Sequence, residues 1–181
     1  MVRVQAIDSQ SSDPLTVTAI VNHFKSYGGI DDVKDGGRVQ AKRAQEADWL
    51  AAFVADRSKS NPEERILLCG DFNAFVVNDG FNDLIGTLIG TPDQNVLVPG
   101  KTFATGLIDL AMLKSLSVGE RYSYVFDGSA QVLDHVLINR KLGERLVKFG
   151  YARLNSDFPV LWAEDDTRPE RLSDHDAPIA F

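Results

Sequence analysis

Residues 15–24, Leu-Thr-Val-Thr-Ala-Ile-Val-Asn-His-Phe, are dense in β-branched side chains and predict a strand. Gly28, Gly29, Gly36 and Gly37 mark the loop that follows. Over residues 38–56 the apolar side chains fall at Ala44, Ala47, Leu50, Ala51 and Val54, the spacing of a helix with one buried face, and Asn61-Pro62 ends it. Residues 65–69 form a short apolar run that reads as a buried strand, and residues 81–89 read as a short helix. Residues 122–126 and 132–138 read as two strands with a turn at Asp127-Gly128. Residues 147–151 and 179–181 give further short strands. Strands and helices intermix without strict βαβ alternation, so the expected class is α/β (α+β), a layered sandwich and not a doubly wound parallel sheet.

A chain of 181 residues suits one domain. With 44% hydrophobic and 25% charged residues it is an ordinary globular composition, which excludes disordered, collagen-like and disulfide-scaffold classes. The single cysteine, Cys69, sits in the run Ile66-Leu67-Leu68-Cys69 and reads as a buried small hydrophobe. The net charge of −7 excludes a general polyanion binder, so contact with nucleic acid requires a local device that overrides the repulsion. The basic pieces are residues 33–65, at +1, and residues 140–153, at +4; both also read as solvated faces. No apolar run approaches the ~20 residues that span a bilayer, so no membrane partner is expected. Residues 1–5 lack the apolar core of a signal peptide. That leaves a cytoplasmic protein, or a piece of a secreted or periplasmic parent.

Four short strings can carry chemistry. Asn22-His23-Phe24-Lys25-Ser26 places a histidine and a lysine two apart at a strand end, which puts both on one face to meet an anion. Gly70-Asp71-Phe72-Asn73-Ala74 follows an apolar strand, and Asp71 and Asn73 project together at its carboxyl end, where α/β sheets place sites; a plain turn is the alternative. In Leu133-Asp134-His135-Val136-Leu137, Asp134 interrupts an apolar strand and needs a partner. His135 should face the opposite way and be structural, so the expected partner of Asp134 is His175, in Ser173-Asp174-His175-Asp176.

Taken in this order, Asn-His-x-Lys-Ser, Gly-Asp-Phe-Asn-Ala, Leu-Asp-His-Val-Leu and Ser-Asp-His-x-x-Pro resemble the endonuclease/exonuclease/phosphatase superfamily, the DNase I-like fold, from about residue 15 to the end. The strings Val21-Asn22-His23-Phe24-Lys25-Ser26, Tyr124-Val125-Phe126-Asp127-Gly128 and Leu133-Asp134-His135 are similar to bacterial secreted extracellular nucleases. The resemblance implies a four-layer sandwich with mixed sheets and hydrolysis of nucleic acid, DNA or RNA. By position it implies that His23 bonds the scissile phosphate, Asp71 positions or deprotonates the attacking water, and Asn73 holds phosphate and nucleophile. Asp134 would orient His175, His175 would face the transition state, and Asp174 would bind metal. Lys25 and Arg43 would touch substrate. Oxygen ligands imply Mg²⁺, with Mn²⁺ or Ca²⁺ as substitutes.

The resemblance is incomplete at its start. Family members carry an Asn and a metal-binding Glu ahead of the histidine strand, and the acids before His23 are only Asp8 and Asp13. The chain is therefore expected to be the C-terminal portion of a larger nuclease domain, weakly active or inactive alone, and to self-associate through the apolar surface left uncovered. A phosphatase or phospholipase-type phosphoesterase of the same superfamily, or a non-catalytic binding fragment, are the competing readings.

Overall fold

The computed structural model describes residues 1–6 and 14–181; Asp8 and Asp13 lie outside the described residues. Its centre is a mixed five-stranded sheet. The strands are β1 (Val2–Ala6), β2 (Leu15–His23), β3 (Ile66–Asp71), β4 (Leu107–Asp109) and, later in the chain, β7 (Asp134–Asn139). Between β4 and β7 a small hairpin is formed by β5 (Tyr124–Phe126) and β6 (Ser129–Gln131). Across the central sheet the order is β1-β2-β3-β7-β4, with β2 and β3 parallel and the other pairs antiparallel. A second hairpin-like pair joins β8 (Phe149–Tyr151) to β9 (Pro178–Ala180).

The helix α1 (Gly36–Ser60) buries Val39, Arg43, Ala47, Leu50 and Val54 along one stripe. It packs with α2 (Leu84–Ile89) on one face of the sheet, against Ile20, Ile66, Leu68 and Leu137. Alternation sends Leu67, Cys69, Val136 and Ile138 to the opposite face. There Leu110, Leu142 of the one-turn α3 (Arg140–Gly143), Phe149 and Tyr151 cover the β7 side. Toward β1 and β2 that face carries exposed Val2, Val4 and Val21, so Cys69 is half-buried, not fully enclosed. No helix among the described residues is long and apolar enough to cross a membrane.

The elements differ from the sequence expectation mainly in pairing. The turn at Asp127-Gly128 joins β5 to β6, with both residues at positive φ, 47° and 77°. Residues 132–138 do not complete that hairpin. Most of the segment enters the central sheet as β7, because its alternating side chains are buried on both faces between β3 and β4.

Candidate active site

Three adjacent strands deliver three polar side chains in one row. His23 of β2 lies opposite Asp71 of β3, and Asp71 lies opposite Asp134 of β7. Residues paired across strands share a face, so the row stands on the side of the sheet away from α1. Gly70 allows the close approach of β2: its φ is 132°, and a Cβ there would collide with the Asn22 carbonyl oxygen.

Past the strand end the chain turns sharply at Asn73, whose φ of 47° is a left-handed conformation that asparagine tolerates. The Asn73 backbone N–H donates to Asp71 Oδ1 at 2.7 Å. Its side-chain amide donates to Asp71 Oδ2 at 3.2 Å and to the Phe24 carbonyl at 3.1 Å. His23 Nε2 stands 3.7 Å from Asp71 Oδ2, on a side chain that is 76% exposed.

Folding brings His175 to the same place. Its Nδ1 lies 2.6 Å from Asp134 Oδ2, the partner that an otherwise unpaired strand carboxylate demands. The ring sits 4.6 Å from that of Tyr124, and a β-bridge to Tyr124 holds the backbone. Asp134 is fixed in turn by Ser123, whose hydroxyl accepts from the Leu133 and Asp134 N–H groups. The segment carrying His175 is clamped by buried Asp176, which accepts from the N–H groups of Leu154, Asn155 and Ser156, the Ser156 hydroxyl and Arg153. Asp71, Asp134 and His175 each offer a ligand atom within 4.8 Å of the others.

Burial pushes the Asp71 carboxyl above its ordinary pKa; the Asn73 N–H opposes this and the Asp134 charge adds to it. The hydrogen bond to Asp134 raises the His175 pKa against the opposing effect of burial, and the charges of Asp71 and Asp174 contribute further. With Nδ1 committed to the carboxylate, Nε2 is the nitrogen that meets a ligand.

Several expected site residues sit elsewhere. Asp174 is exposed and outside the three-residue ligand group; it reaches His175 through its charge. Lys25 lies beyond the end of β2, so strand geometry does not align it with His23; its ammonium donates to the Ser26 hydroxyl at 2.8 Å and the Ser26 carbonyl at 3.1 Å. Arg43 is a correction. It is 0% exposed, so it cannot reach a substrate backbone. Its guanidinium donates to the carbonyls of Lys25 at 2.7 Å and Asn73 at 2.8 Å and pairs with Asp79 at 3.3 Å, bracing the two loops that frame the site.

His135 is fully buried between two acceptors, Asp109 Oδ2 and the Ala74 carbonyl, each at 2.8 Å. This ties the Asn73 loop to the core. Asp109 and Ser123 had no local signal in the sequence, and Tyr124 and Asp176 lay in quoted strings without an assigned role, since each works on a group brought close by tertiary folding.

No family model and no curated protein matches the chain. Among solved structures, beta toxin from Staphylococcus aureus shares the fold, with a TM-score of 0.51 and 14% identity over 99% of this chain. The chain spans 55% of the length of that toxin chain. At this identity the likeness is one of fold: a mixed α+β sandwich of DNase I-like type.

Proposed function

We propose that the chain carries a divalent-cation-dependent phosphodiesterase centre that acts on nucleic acid. The observation that supports this reading is the convergence of Asp71, Asp134 and His175, with His23 beside them, at one end of the central sheet. Asp71 and Asp134 offer carboxylate oxygens at a half-exposed rim, which suit Mg²⁺, Mn²⁺ or Ca²⁺ better than Zn²⁺, and His175 beside them is kept as a hydrogen-bond donor. The raised proton affinity of Asp71 fits the same idea, since two neighbouring carboxylates leave negative charge for a cation to balance. Bound there, the cation supplies a Lewis acid to the phosphoryl oxygens and offsets the repulsion between an acidic protein and its substrate.

Asp71 takes the proton of the attacking water, held for this by the two Asn73 donors. His175, its Nδ1 fixed by Asp134, presents Nε2–H to a phosphoryl oxygen as negative charge builds there. His23, on the opposite side of Asp71, supplies a second donor. The P–O bond to the leaving nucleotide breaks, and the departing alkoxide takes its proton from solvent.

The test is cleavage of DNA, RNA, a phosphomonoester and sphingomyelin vesicles with the protein in excess, with Mg²⁺ or with chelator. Nucleic acid is cut only with the cation, and His175→Ala lowers the rate by about 10²–10⁴-fold. Cleavage that persists in excess chelator, preference for the monoester or lipid, or no cutting of any nucleic acid would each overturn the proposal.

A further inference from the structure

Beside the catalytic row lies a cavity of about 820 Å³, within the roughly 300–1,000 Å³ of ligand sites. Tyr27, Phe75 and Phe81 form one cluster of its lining, with Tyr27 ring centroids 5.9 Å from Phe75 and 6.4 Å from Phe81. Tyr124 and Phe126 of β5 form a second, near-parallel pair at 6.4 Å. We propose that this cavity receives a nucleobase adjoining the scissile phosphate, an inference that rests on the phosphodiesterase reading above.

Three observations carry it. First, the cavity is continuous with the site: Asn73 lines it while holding Asp71, and the Tyr124 ring also packs on His175. A group docked there is therefore next to the reacting phosphorus. Second, no Lys, Arg or His among the described residues lines it, so it is not built to hold phosphate. The phosphate stays in the row, and what enters the cavity is a group without negative charge. Third, the walls combine aromatic faces with the polar atoms of Gln131, Ser26 and Asp31. A nucleobase has the matching form, a π-face that stacks and an edge that exchanges hydrogen bonds. Phe126, 61% exposed at the rim, is a large apolar ring left facing water, which stacking on a base would cover. The Asp31 carboxylate accepts only, so it can take an N–H from a base edge, whether exocyclic amino or ring imide. Buried Arg43, 5.2 Å from the Tyr27 ring centroid, fixes that wall from beneath.

The test is a binding titration followed by NMR in excess chelator, which requires no turnover. Cytidine 5′-monophosphate and uridine 5′-monophosphate shift the ring resonances of Tyr27, Phe75 and Phe126; ribose 5-phosphate does not. Phe126→Ala and Phe75→Ala each weaken the cytidine nucleotide by about tenfold, the size expected for loss of one stacking ring. The proposal is overturned if ribose 5-phosphate binds as well, if neither substitution changes affinity, or if phosphocholine shifts the same resonances at lower concentration. The two readings fail separately. Nucleotide binding without cleavage keeps the cavity assignment and removes the hydrolytic one. Cleavage indifferent to removal of the neighbouring base does the reverse.

Discussion

Replacing Asp109 by alanine removes the carboxylate that meets His135 Nδ1 at 2.8 Å and caps the following turn through the Ala111 N–H at 3.1 Å. The other ring nitrogen faces the Ala74 carbonyl, which can only accept, so in the native state the ring donates from both nitrogens. Burial alone would lower the His135 pKa, but Asp109 and Ala74 outweigh it, and the net direction is upward from 6.5. Both side chains are fully buried, so losing one partner strands the other in the core. Breaking such a pair costs about 3–5 kcal/mol. At roughly 2–4 °C per kcal/mol for a chain of this size, Tm falls by about 6–20 °C. Thermal unfolding followed by circular dichroism measures this directly. Because the folded pKa is raised, the contribution is complete below the unfolded value and fades as pH rises through the folded one, so the deficit of Asp109→Ala shrinks at alkaline pH. The double replacement Asp109→Ala with His135→Leu should cost less than the sum of the two single ones. A Tm loss under about 2 °C, or strict additivity, would refute the coupled buried pair.

Arg43→Ala removes the buried cation that pairs with Asp79 and the donor to two loop carbonyls, and should cost about 3–5 kcal/mol by urea unfolding, with substrate turnover reduced through the Asn73 loop. Asp71→Asn removes a carboxylate whose raised pKa makes its ionised form unfavourable in the fold. Without cations the variant should therefore match or exceed the parent in Tm near pH 7, while losing any stabilisation by Mg²⁺ seen by differential scanning fluorimetry. Asp134→Asn removes the chief cause of the raised His175 pKa. Its stability deficit should be larger at pH 5.5 than at pH 9, because a raised histidine pKa stabilises below the unfolded value and ceases to as pH climbs past the folded one.

The parts of the fold legible in the sequence are those whose signal is local. β2 and β3 announced themselves as apolar runs, and α1 by its one-sided spacing. The Asp127-Gly128 turn followed from its dipeptide. β1 and β4 did not, because strands of five and three residues at the sheet edges are defined by their partners more than by their own composition. The segment 132–138 was placed in the wrong pair for a related reason: its strand character is local, but its choice of β3 and β4 is a long-range matter of burial. In the site, the Asp134–His175 contact was readable because a carboxylate in an apolar strand demands a partner. The substrate contact that the resemblance implies for Arg43 does not hold, and its place on the same helical stripe as Val39, Ala47 and Leu50 is the signal that puts it inside.

The proposed function requires Asp71, Asp134 and His175 to act as one cation-responsive centre. The most direct measurement is an NMR pH titration of the histidine imidazoles, with and without Mg²⁺. His175 should titrate above 6.5 without the cation, and Mg²⁺ should shift its titration to lower pH in the parent protein but not in Asp71→Asn. A His175 titration that Mg²⁺ leaves unmoved, or one that already lies at or below 6.5 beside Asp134, would contradict it.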